Sequence, residues 1–181
     1  MDDRTVAISR FLGRHLRHRP EAIGLVLDAS GWTDVAALLA AAARHGFPVT
    51  RAELDAVVAS DAKGRYALDA AGLRIRANQG HSVPVELGLP VAAPPPVLFH
   101  GTVRRALDGI RRDGLLPMGR HAVHLSPDRA TAERVGTRRG RPVVLTVDAA
   151  GMAADGHEFR VSANGVWLVA AVPPRFLALP Q

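Results

Sequence analysis

Apolar residues recur at the spacing of an amphipathic helix near the start of the chain. Over residues 5–19, one side of that helix is formed by Ile8, Phe11, Leu12, His15 and Leu16. Pro20 ends the pattern, and the opposite side carries Arg10, Arg14 and Arg17. His18 falls at the border of the two sides, half shielded and beside positive charge, a setting that favours a neutral imidazole. The alternative is that Arg17 and His18 are ordinary C-terminal helix residues that complement the helix dipole.

The same spacing predicts two more helices. Thr33 or Asp34 can cap the first of them, whose apolar face comprises Val35, Leu38, Leu39 and Ala42. Gly46 and Pro48 end it. Residues 50–53 are typical of a capping box and predict a further helix, with an apolar side formed by Leu54, Val57 and Val58.

Alternating apolar and polar residues then predict two short strands, at residues 65–68 and 73–76. In the second strand Leu73 and Ile75 share one face, and Arg74 and Arg76 share the other. Helices followed by a hairpin form the order of a winged helix-turn-helix, which commonly binds duplex DNA. The predicted third helix argues against DNA, because its acidic residues outnumber its single arginine, a poor balance for the major groove.

Prolines divide the chain after Ser82. They include Pro84 and Pro90 and a run at residues 94–96, and they favour extended backbone with little regular pairing. The sequence therefore predicts an N-terminal lobe over residues 1–82, a proline-rich linker over 83–96 and a C-terminal lobe over 97–181.

The C-terminal lobe mixes predicted strands and helices, which indicates the α+β class. Strands are predicted at residues 97–99, running into residues 100–102, and at 122–125, 142–147, 157–161 and 166–170. Helices are predicted at residues 103–113 and 127–138. We expect the strand at 142–147 to be central, and antiparallel hairpins rather than crossovers near the C-terminus.

The composition restricts the class of protein. The 181 residues are 48% apolar, as expected for a globular chain that buries its own core. Without cysteine there is no disulfide, thiolate nucleophile or cysteine-type zinc site. No run of roughly 18 apolar residues occurs, and the N-terminus begins with acidic rather than basic residues. We therefore expect a soluble, cytoplasmic protein with no membrane partner.

Positive charge indicates a polyanionic partner. The net charge is +6, and every basic residue except Lys63 is an arginine. Arginine binds phosphate through paired hydrogen bonds and stays charged at physiological pH. A coding bias toward arginine would explain the residue type but not the excess, so nucleic acid is the favoured partner.

Candidate chemistry is concentrated at residues 75–82, whose sequence is IRANQGHS. Arg76, Asn78, Gln79, His81 and Ser82 can all bind a phosphorylated ligand. A polar turn after a strand is the alternative, since loops favour these residue types whether or not they act.

A second candidate group lies at predicted strand ends in the C-terminal lobe. His100, Gly101 and Thr102 can offer backbone hydrogen bonds to a flat ring, with the glycine permitting close approach. Ser126 follows the next strand, and its alternative role is a helix cap ahead of Pro127. A basic run of candidate residues comprises Arg134, Arg138, Arg139 and Arg141. The alternative interpretation of this run is a solvated helix face.

The usual nucleotide and metal motifs are missing from the sequence. It has no glycine-rich dinucleotide fingerprint and no Walker phosphate loop, so a nucleotide would bind outside the usual folds. His121 and His124 would point to opposite faces of a strand, and we predict no metal centre.

Taken together, these residues resemble the RNA 2'-phosphotransferase (Tpt1/KptA) family. The resemblance covers nearly the whole chain and rests on residues 9–12, 16–18, 31–35, 75–82, 98–102, 123–126, 138–143 and 164–168. It implies a winged-helix RNA-binding lobe joined to an ADP-ribosyltransferase-like lobe that binds NAD. The implied partners are RNA with an internal 2'-phosphate and NAD, which is consumed as a co-substrate without any metal. A monomer is expected.

The implied reaction has two steps. The RNA 2'-phosphate attacks C1'' of NAD+ and expels nicotinamide, and then O2'' of the ribose attacks the phosphorus. The products are 2'-hydroxyl RNA and ADP-ribose 1'',2''-cyclic phosphate. Fixed guanidiniums suit such a step, because charge develops on phosphoryl oxygens with no metal to absorb it.

The resemblance also implies roles for particular residues. The catalytic set maps onto Arg17, His18, Arg76 and Arg138. Arg17 and Arg76 would hold the RNA 2'-phosphate, with His18, Asn78, Gln79 and His81 lining the same site. Arg138 would contact the phosphate during transesterification, and His18 would activate O2'' because its pKa suits proton transfer. The NAD pocket would be lined by His100, Gly101, Thr102 and Ser126.

The sequence departs from the family pattern at a few positions. Arg139 and Ala122 stand where relatives commonly have histidine, so we expect altered substrate affinity and an intact mechanism. Val166 stands where other ADP-ribosyltransferases have a catalytic glutamate, which disfavours protein modification. The alternatives are ADP-ribosylation of terminal phosphates on nucleic acid and a winged-helix binding protein with a C-terminal ligand sensor.

Overall fold

The computed structural model describes residues 3–137 and 140–179. The chain forms two compact units, Met1–Gly88 and Leu89–Gln181, and each has its own hydrophobic core. The division between them lies within the segment predicted as a linker. Both units combine helices with small antiparallel sheets, so the chain is α+β as predicted. The winged-helix and ADP-ribosyltransferase-like assignments stay predictions.

The first unit places three helices around one sheet. Its elements are α1 (Asp3–Arg17), β1 (Thr33–Asp34), α2 (Val35–Arg44), α3 (Arg51–Ala59), β2 (Tyr66–Leu68) and β3 (Arg74–Ala77). A 3-10 helix, Pro20–Ile23, follows α1. The strands pair antiparallel in the order β1-β3-β2. The centre of the core consists of side chains at most 1% exposed: Ile8, Leu12, Leu16, Leu38, Leu54 and Ile75.

Side-chain caps start two of these helices where the sequence predicts. Oδ1 of Asp34 accepts a hydrogen bond from the N–H of Ala37 at 2.9 Å, so Asp34 rather than Thr33 caps α2. At α3, Oγ1 of Thr50 accepts from the N–H of Glu53 at 3.2 Å. The Glu53 carboxylate accepts from the N–H of Thr50 at 2.8 Å, which completes the predicted capping box.

Two predictions for this unit were wrong in detail, and one strand was not predicted. Helix α1 ends at Arg17 instead of residue 19, because the N–H groups of His18 and Arg19 both bond to the carbonyl of Arg14 in a widened last turn. Leu73 lies before β3 and is 61% exposed, so it does not share the buried face of that strand. Strand β1 was not predicted, since two residues are too few to show alternation.

The second unit is built on two antiparallel sheets. Its elements are β4 (Val97–Val103), α4 (Leu107–Asp113), β5 (Val123–Leu125), α5 (Arg129–Gly136), β6 (Pro142–Asp148), α6 (Ala149–Ala154), β7 (Arg160–Val161), β8 (Trp167–Val169) and β9 (Leu177–Ala178). The strand orders are β4-β6-β9 and β5-β8-β7, so β6 is central as predicted. The most deeply buried side chains, at most 1% exposed, include Leu98, Leu125, Leu145, Val147, Met152 and Phe159.

The structure corrects several boundaries in the second unit. Helix α4 begins at Leu107, because residues Arg104–Ala106 form a 3-10 turn after β4. The strand predicted at 157–161 is reduced to β7, since the N–H of His157 bonds to the carbonyl of Met152 in the turn that ends α6. Helix α6 and strand β9 were not predicted. Ser126 is not a helix cap, because Asp128 caps α5.

Candidate active site

The end of α1 places Arg17 and His18 beside the segment that follows β3. The N–H of Ser82 donates to the carbonyl of Arg17 at 2.9 Å, and Nδ1 of His18 lies 3.0 Å from Oγ of Ser82. Nη2 of Arg17 donates to the carbonyl of Arg65 at 3.3 Å. Cζ of Arg17 lies 5.7 Å from the centre of the Tyr66 ring. Residues far apart in the sequence are therefore brought together in the first unit.

Exposure at this end of α1 differs from the sequence prediction. His18 is exposed instead of half shielded, because the helix ends before it. Arg17 is half-buried, whereas Arg10 and Arg14 on the same helix are exposed. Arg17 is thus distinguished from the other arginines of α1 by its packing against the β2 strand.

Tyr66 forms a fixed aromatic surface beneath Arg17. Its hydroxyl donates to the carbonyl of Ser9 at 2.6 Å, and only 5% of the residue is exposed. Burial raises the pKa of Tyr66. The hydrogen bond to Ser9 and the charges of Arg17 and Arg65 lower this pKa, but by less, so the net shift is upward. The phenol therefore stays neutral at physiological pH and keeps its hydrogen bond.

Arg76 lies on β3 against the indole ring of Trp32. Its Cζ is 4.7 Å from the ring centre, and Cζ of Arg74 is 5.6 Å from the same ring. Arg74 also forms an ion pair with Asp28. Arg76 is half-buried, and its Nε is buried without a hydrogen-bond partner among the residues that the structure describes. The two arginines therefore share a ring but differ in how their charge is compensated.

Two of the other predicted phosphate-binding residues of this segment, Asn78 and His81, are buried. Asn78 is 7% exposed; its N–H donates to the carbonyl of Arg65 at 2.9 Å and its Nδ2 to that of Gly64 at 2.6 Å. His81 is 3% exposed, and a Cβ added at Gly31 would lie 3.3 Å from its Nε2. Gln79 is half-buried. Asn78 thus fixes the turn at residues 64–65, and the Arg65 carbonyl of that turn accepts the hydrogen bond from Arg17.

The predicted NAD-binding residues of the second unit lie on adjacent strands. The backbone N–H groups of Phe99 and Ser126 each donate to the other residue's carbonyl, at 2.9 and 2.8 Å. Nδ1–H of His100 donates to the carbonyl of His124 at 3.0 Å, which orients the imidazole on β4. Thr102 is 7% exposed on the same strand. Ser126 is therefore fixed directly beside the start of the His-Gly-Thr sequence.

Gly101 lets helix α5 approach the backbone of β4. A Cβ at Gly101 would lie 1.7 Å from the carbonyl oxygen of Ala132 and 2.9 Å from the backbone nitrogen of Gly136. No side chain fits between these elements, so the packing of α5 on β4 requires glycine. The sequence predicted that a ligand approaches the backbone closely at Gly101, and the structure shows that helix α5 does so.

Arg138, the fourth predicted catalytic residue, lies outside the described residues, as does Arg139. Arg134 and Arg141 are described and are exposed. Within the described part of the chain, no three histidine or acidic side chains are grouped closely enough to hold a metal ion. None of the helices there has the length and apolar character needed to span a membrane.

Trp32 and Tyr66 were not predicted as site residues. The chain has two tryptophans and one tyrosine, and two of these three side chains lie under arginines of the predicted catalytic set. Their scarcity is a signal in the sequence, but it does not identify the arginine that each one contacts. That pairing depends on strand register, which the sequence alone leaves open.

Comparisons with known proteins agree along the length of the chain. A family model described as RNA 2'-phosphotransferase, Tpt1/KptA family, matches residues 3–171. A Streptomyces coelicolor protein named probable RNA 2'-phosphotransferase is 64% identical over 178 residues, covering 98% of this chain and 97% of the relative. A protein of the same name from Burkholderia pseudomallei is 56% identical over 172 residues, covering 95% and 94%. Another, from Nostoc punctiforme, is 51% identical over 176 residues, covering 97% of each chain.

Proposed function

Because the chain belongs to the RNA 2'-phosphotransferase, Tpt1/KptA family, we propose that it removes an internal 2'-phosphate from RNA and transfers it to NAD+. The products would be 2'-hydroxyl RNA, nicotinamide and ADP-ribose 1'',2''-cyclic phosphate. A winged-helix N-terminal lobe would bind the RNA, and an ADP-ribosyltransferase-like C-terminal lobe would bind NAD+.

The first step forms a bond between an oxygen of the RNA 2'-phosphate and C1'' of NAD+. The bond from C1'' to nicotinamide breaks, and nicotinamide leaves with the electron pair as a neutral base. In the second step O2'' of the ADP-ribose attacks the phosphorus after losing its proton. The RNA 2'-oxygen leaves and takes up a proton to become a hydroxyl.

Arg17 and Arg76 would bind the 2'-phosphate in the first unit. A guanidinium offers two parallel N–H donors that match a phosphate and keeps its charge during the reaction. His18 is exposed at the end of α1 and would accept the proton of O2''. Asn78, Gln79 and His81 would complete the same site, with Asn78 also fixing the turn beside Arg17.

In the second unit, His100, Gly101, Thr102 and Ser126 would bind NAD+. Nδ1–H of His100 donates to the carbonyl of His124, and this hydrogen bond fixes the orientation of the imidazole at the proposed NAD+ site. Arg138 would stabilise the charge on the phosphoryl oxygens during the second step. For the family departures at Ala122 and Arg139, we predict altered substrate affinity and an intact mechanism.

The observation that carries this proposal is the state of Arg76. It is half-buried and held against an aromatic ring, yet it forms no ion pair or hydrogen bond to another residue of the described chain. A partly desolvated guanidinium without a carboxylate partner is costly for a fold and suited to binding an anion.

The test is an RNA oligonucleotide with one internal 2'-phosphate, incubated with the protein with and without NAD+. We expect conversion to the 2'-hydroxyl form only with NAD+, and one nicotinamide released per phosphate removed. Equal dephosphorylation without NAD+ would contradict the proposal. If label from adenine-labelled NAD+ stays attached to nucleic acid ends, the activity is ADP-ribosylation of terminal phosphates, which uses the first step alone.

A further inference from the structure

Trp32 and Arg76 are cross-strand neighbours on the same face of the first unit's sheet. Strand β1 pairs with β3 so that Thr33 is opposite Ile75, and continuing this antiparallel register by one residue places Trp32 opposite Arg76. Opposite residues lie on the same face of a sheet and interact directly. On its other side, β3 pairs with β2 and places Ala67 opposite Arg76. Arg76 therefore has a large aromatic ring on one side and a methyl group on the other.

Trp32 is itself held by the turn that precedes it. Its N–H donates to Oδ1 of Asp28 at 2.9 Å, and the N–H of Asp28 donates to the Trp32 carbonyl at 2.8 Å. Burial acts to raise the pKa of Asp28, but hydrogen bonds from the N–H groups of Trp32 and Ser30 and the adjacent Arg74 together hold it below its usual value. The carboxylate is therefore ionised at neutral pH and anchors both the turn and Arg74.

The two arginines on this ring differ in their charge partners. The guanidinium of Arg74 is neutralised by Asp28. That of Arg76 contacts the indole face and has no carboxylate partner in the described chain. An aromatic face orients a guanidinium through its quadrupole without neutralising it, so the N–H donors remain available for an anion.

We propose that Trp32 is a positioning residue for Arg76: its indole face, fixed by the Asp28 turn, orients the Arg76 guanidinium toward the phosphate of the RNA. This inference rests on the proposed role of Arg76 in binding the 2'-phosphate. It assigns Trp32 a share in phosphate selectivity, and no direct contact with the reacting atoms.

The experiment measures affinity for two RNA oligonucleotides that differ only in one internal 2'-phosphate. The variants are Trp32→Leu, Trp32→Phe and Arg76→Ala, with Trp167→Phe in the second unit as the control for loss of a tryptophan. Trp32→Leu should weaken binding of the phosphorylated RNA at least about 5-fold, since a partly desolvated cation–π contact contributes roughly that factor. Binding of the unphosphorylated RNA should change less than about 2-fold, and Trp32→Phe should restore most of the loss.

A double-mutant cycle separates positioning from general stability. If Trp32 acts through Arg76, Trp32→Leu should have no further effect on phosphate-dependent binding once Arg76→Ala is present. Equal losses in both backgrounds, or equal losses for both RNAs, would overturn the inference. If Arg76→Ala leaves phosphate-dependent binding intact, the proposed role of Arg76 fails as well, so the two failures are distinguishable.

Fluorinated tryptophan provides a test that does not depend on whether Trp32→Leu folds. In the Trp167→Phe protein, Trp32 is the remaining tryptophan, and fluorine atoms on its ring weaken cation–π attraction with little change in shape. Phosphate-dependent affinity should fall stepwise as fluorine atoms are added. An affinity that is independent of fluorination would show that Trp32 supports Arg76 by shape alone and would overturn the inference.

Discussion

Arg74 and Arg76 form a natural matched pair at the scale of single residues. They lie two residues apart on β3 and contact the same ring, but only Arg74 is paired with a carboxylate. Arg76→Ala should lower kcat/KM for 2'-phosphorylated RNA by about 100-fold or more, as expected for removal of a donor to developing charge. Arg74→Ala removes an exposed ion pair and should cost less than about 5-fold.

The measurement for this pair is steady-state kinetics, with circular dichroism to establish that both variants fold. Equal losses of kcat/KM for the two variants would mean that activity depends on packing against the ring and the sheet, and not on the Arg76 guanidinium that lacks a carboxylate partner in the described chain. Full activity of Arg76→Ala would remove Arg76 from the site.

Single residues also mark where sequence reasoning succeeds and where it stops. Alternation placed Arg76 on the polar face of a strand, and the structure confirms that Ile75 is fully buried beneath it. The contact between Arg76 and Trp32 could not be predicted, because it requires the register of β1 against β3. Arg138 stays a prediction, since it lies outside the described residues.

At the scale of elements, the start of α3 predicts a pH dependence of stability. The hydrogen bond from Arg4, helped by those from the backbone and hydroxyl of Thr50, lowers the pKa of Glu53 from 4.5 to about 2. A lowered folded-state pKa contributes stability above the unfolded value, and this is lost as pH falls through the folded value. Glu53→Gln should therefore lower Tm at pH 7, and the difference from wild type should vanish between pH 4.5 and about 2.

Thermal unfolding over this pH range checks the prediction. Asp55→Asn is the control, because it removes a carboxylate of the same helix whose ion pair with Arg51 lies at the surface. We expect a smaller change in Tm for this variant at pH 7. A Glu53→Gln difference that is the same at every pH would refute the assigned cause.

The contact of α5 with β4 gives a second element-scale prediction. Gly101→Ala would force a methyl group to within 1.7 Å of the Ala132 carbonyl oxygen, so the two elements must separate. The expected cost is about 3 kcal/mol or more, which lowers the Tm of the second unit by roughly 10 °C or more. Gly109→Ala in α4 is the control, because a Cβ there meets nothing within 4 Å.

Calorimetry distinguishes the two glycine variants. Gly109→Ala should leave Tm unchanged or raise it, because alanine favours helix by about 0.5–1 kcal/mol. A Gly101→Ala protein as stable as wild type would contradict the close packing of α5 on β4.

Elements were predicted well from sequence where they are long and capped by their own residues. The amphipathic pattern of α1 and the capping box of α3 are local signals, and both are confirmed. The two-residue strands β1 and β9 carry no period of their own. They exist because β3 and β6 offer free edges for pairing, and this is a tertiary effect that local sequence cannot encode.

At the scale of the whole molecule, the two hydrophobic cores predict that the first unit folds alone. A fragment of residues 1–88 should unfold cooperatively in urea and should bind 2'-phosphorylated RNA better than the unphosphorylated form. Arg76→Ala in the same fragment is the control and should remove that preference. A fragment without a cooperative transition would mean that its core depends on the rest of the chain.

In the proposed reaction, the phosphate of the RNA is transferred to the ADP-ribose part of NAD+. The most direct measurement labels the internal 2'-phosphate with radioactive phosphorus and follows the label during a single turnover with NAD+. Our account predicts that the label passes through an RNA-linked ADP-ribose intermediate and ends in ADP-ribose 1'',2''-cyclic phosphate. Label that appears as inorganic phosphate, or that leaves the RNA without NAD+, would contradict it.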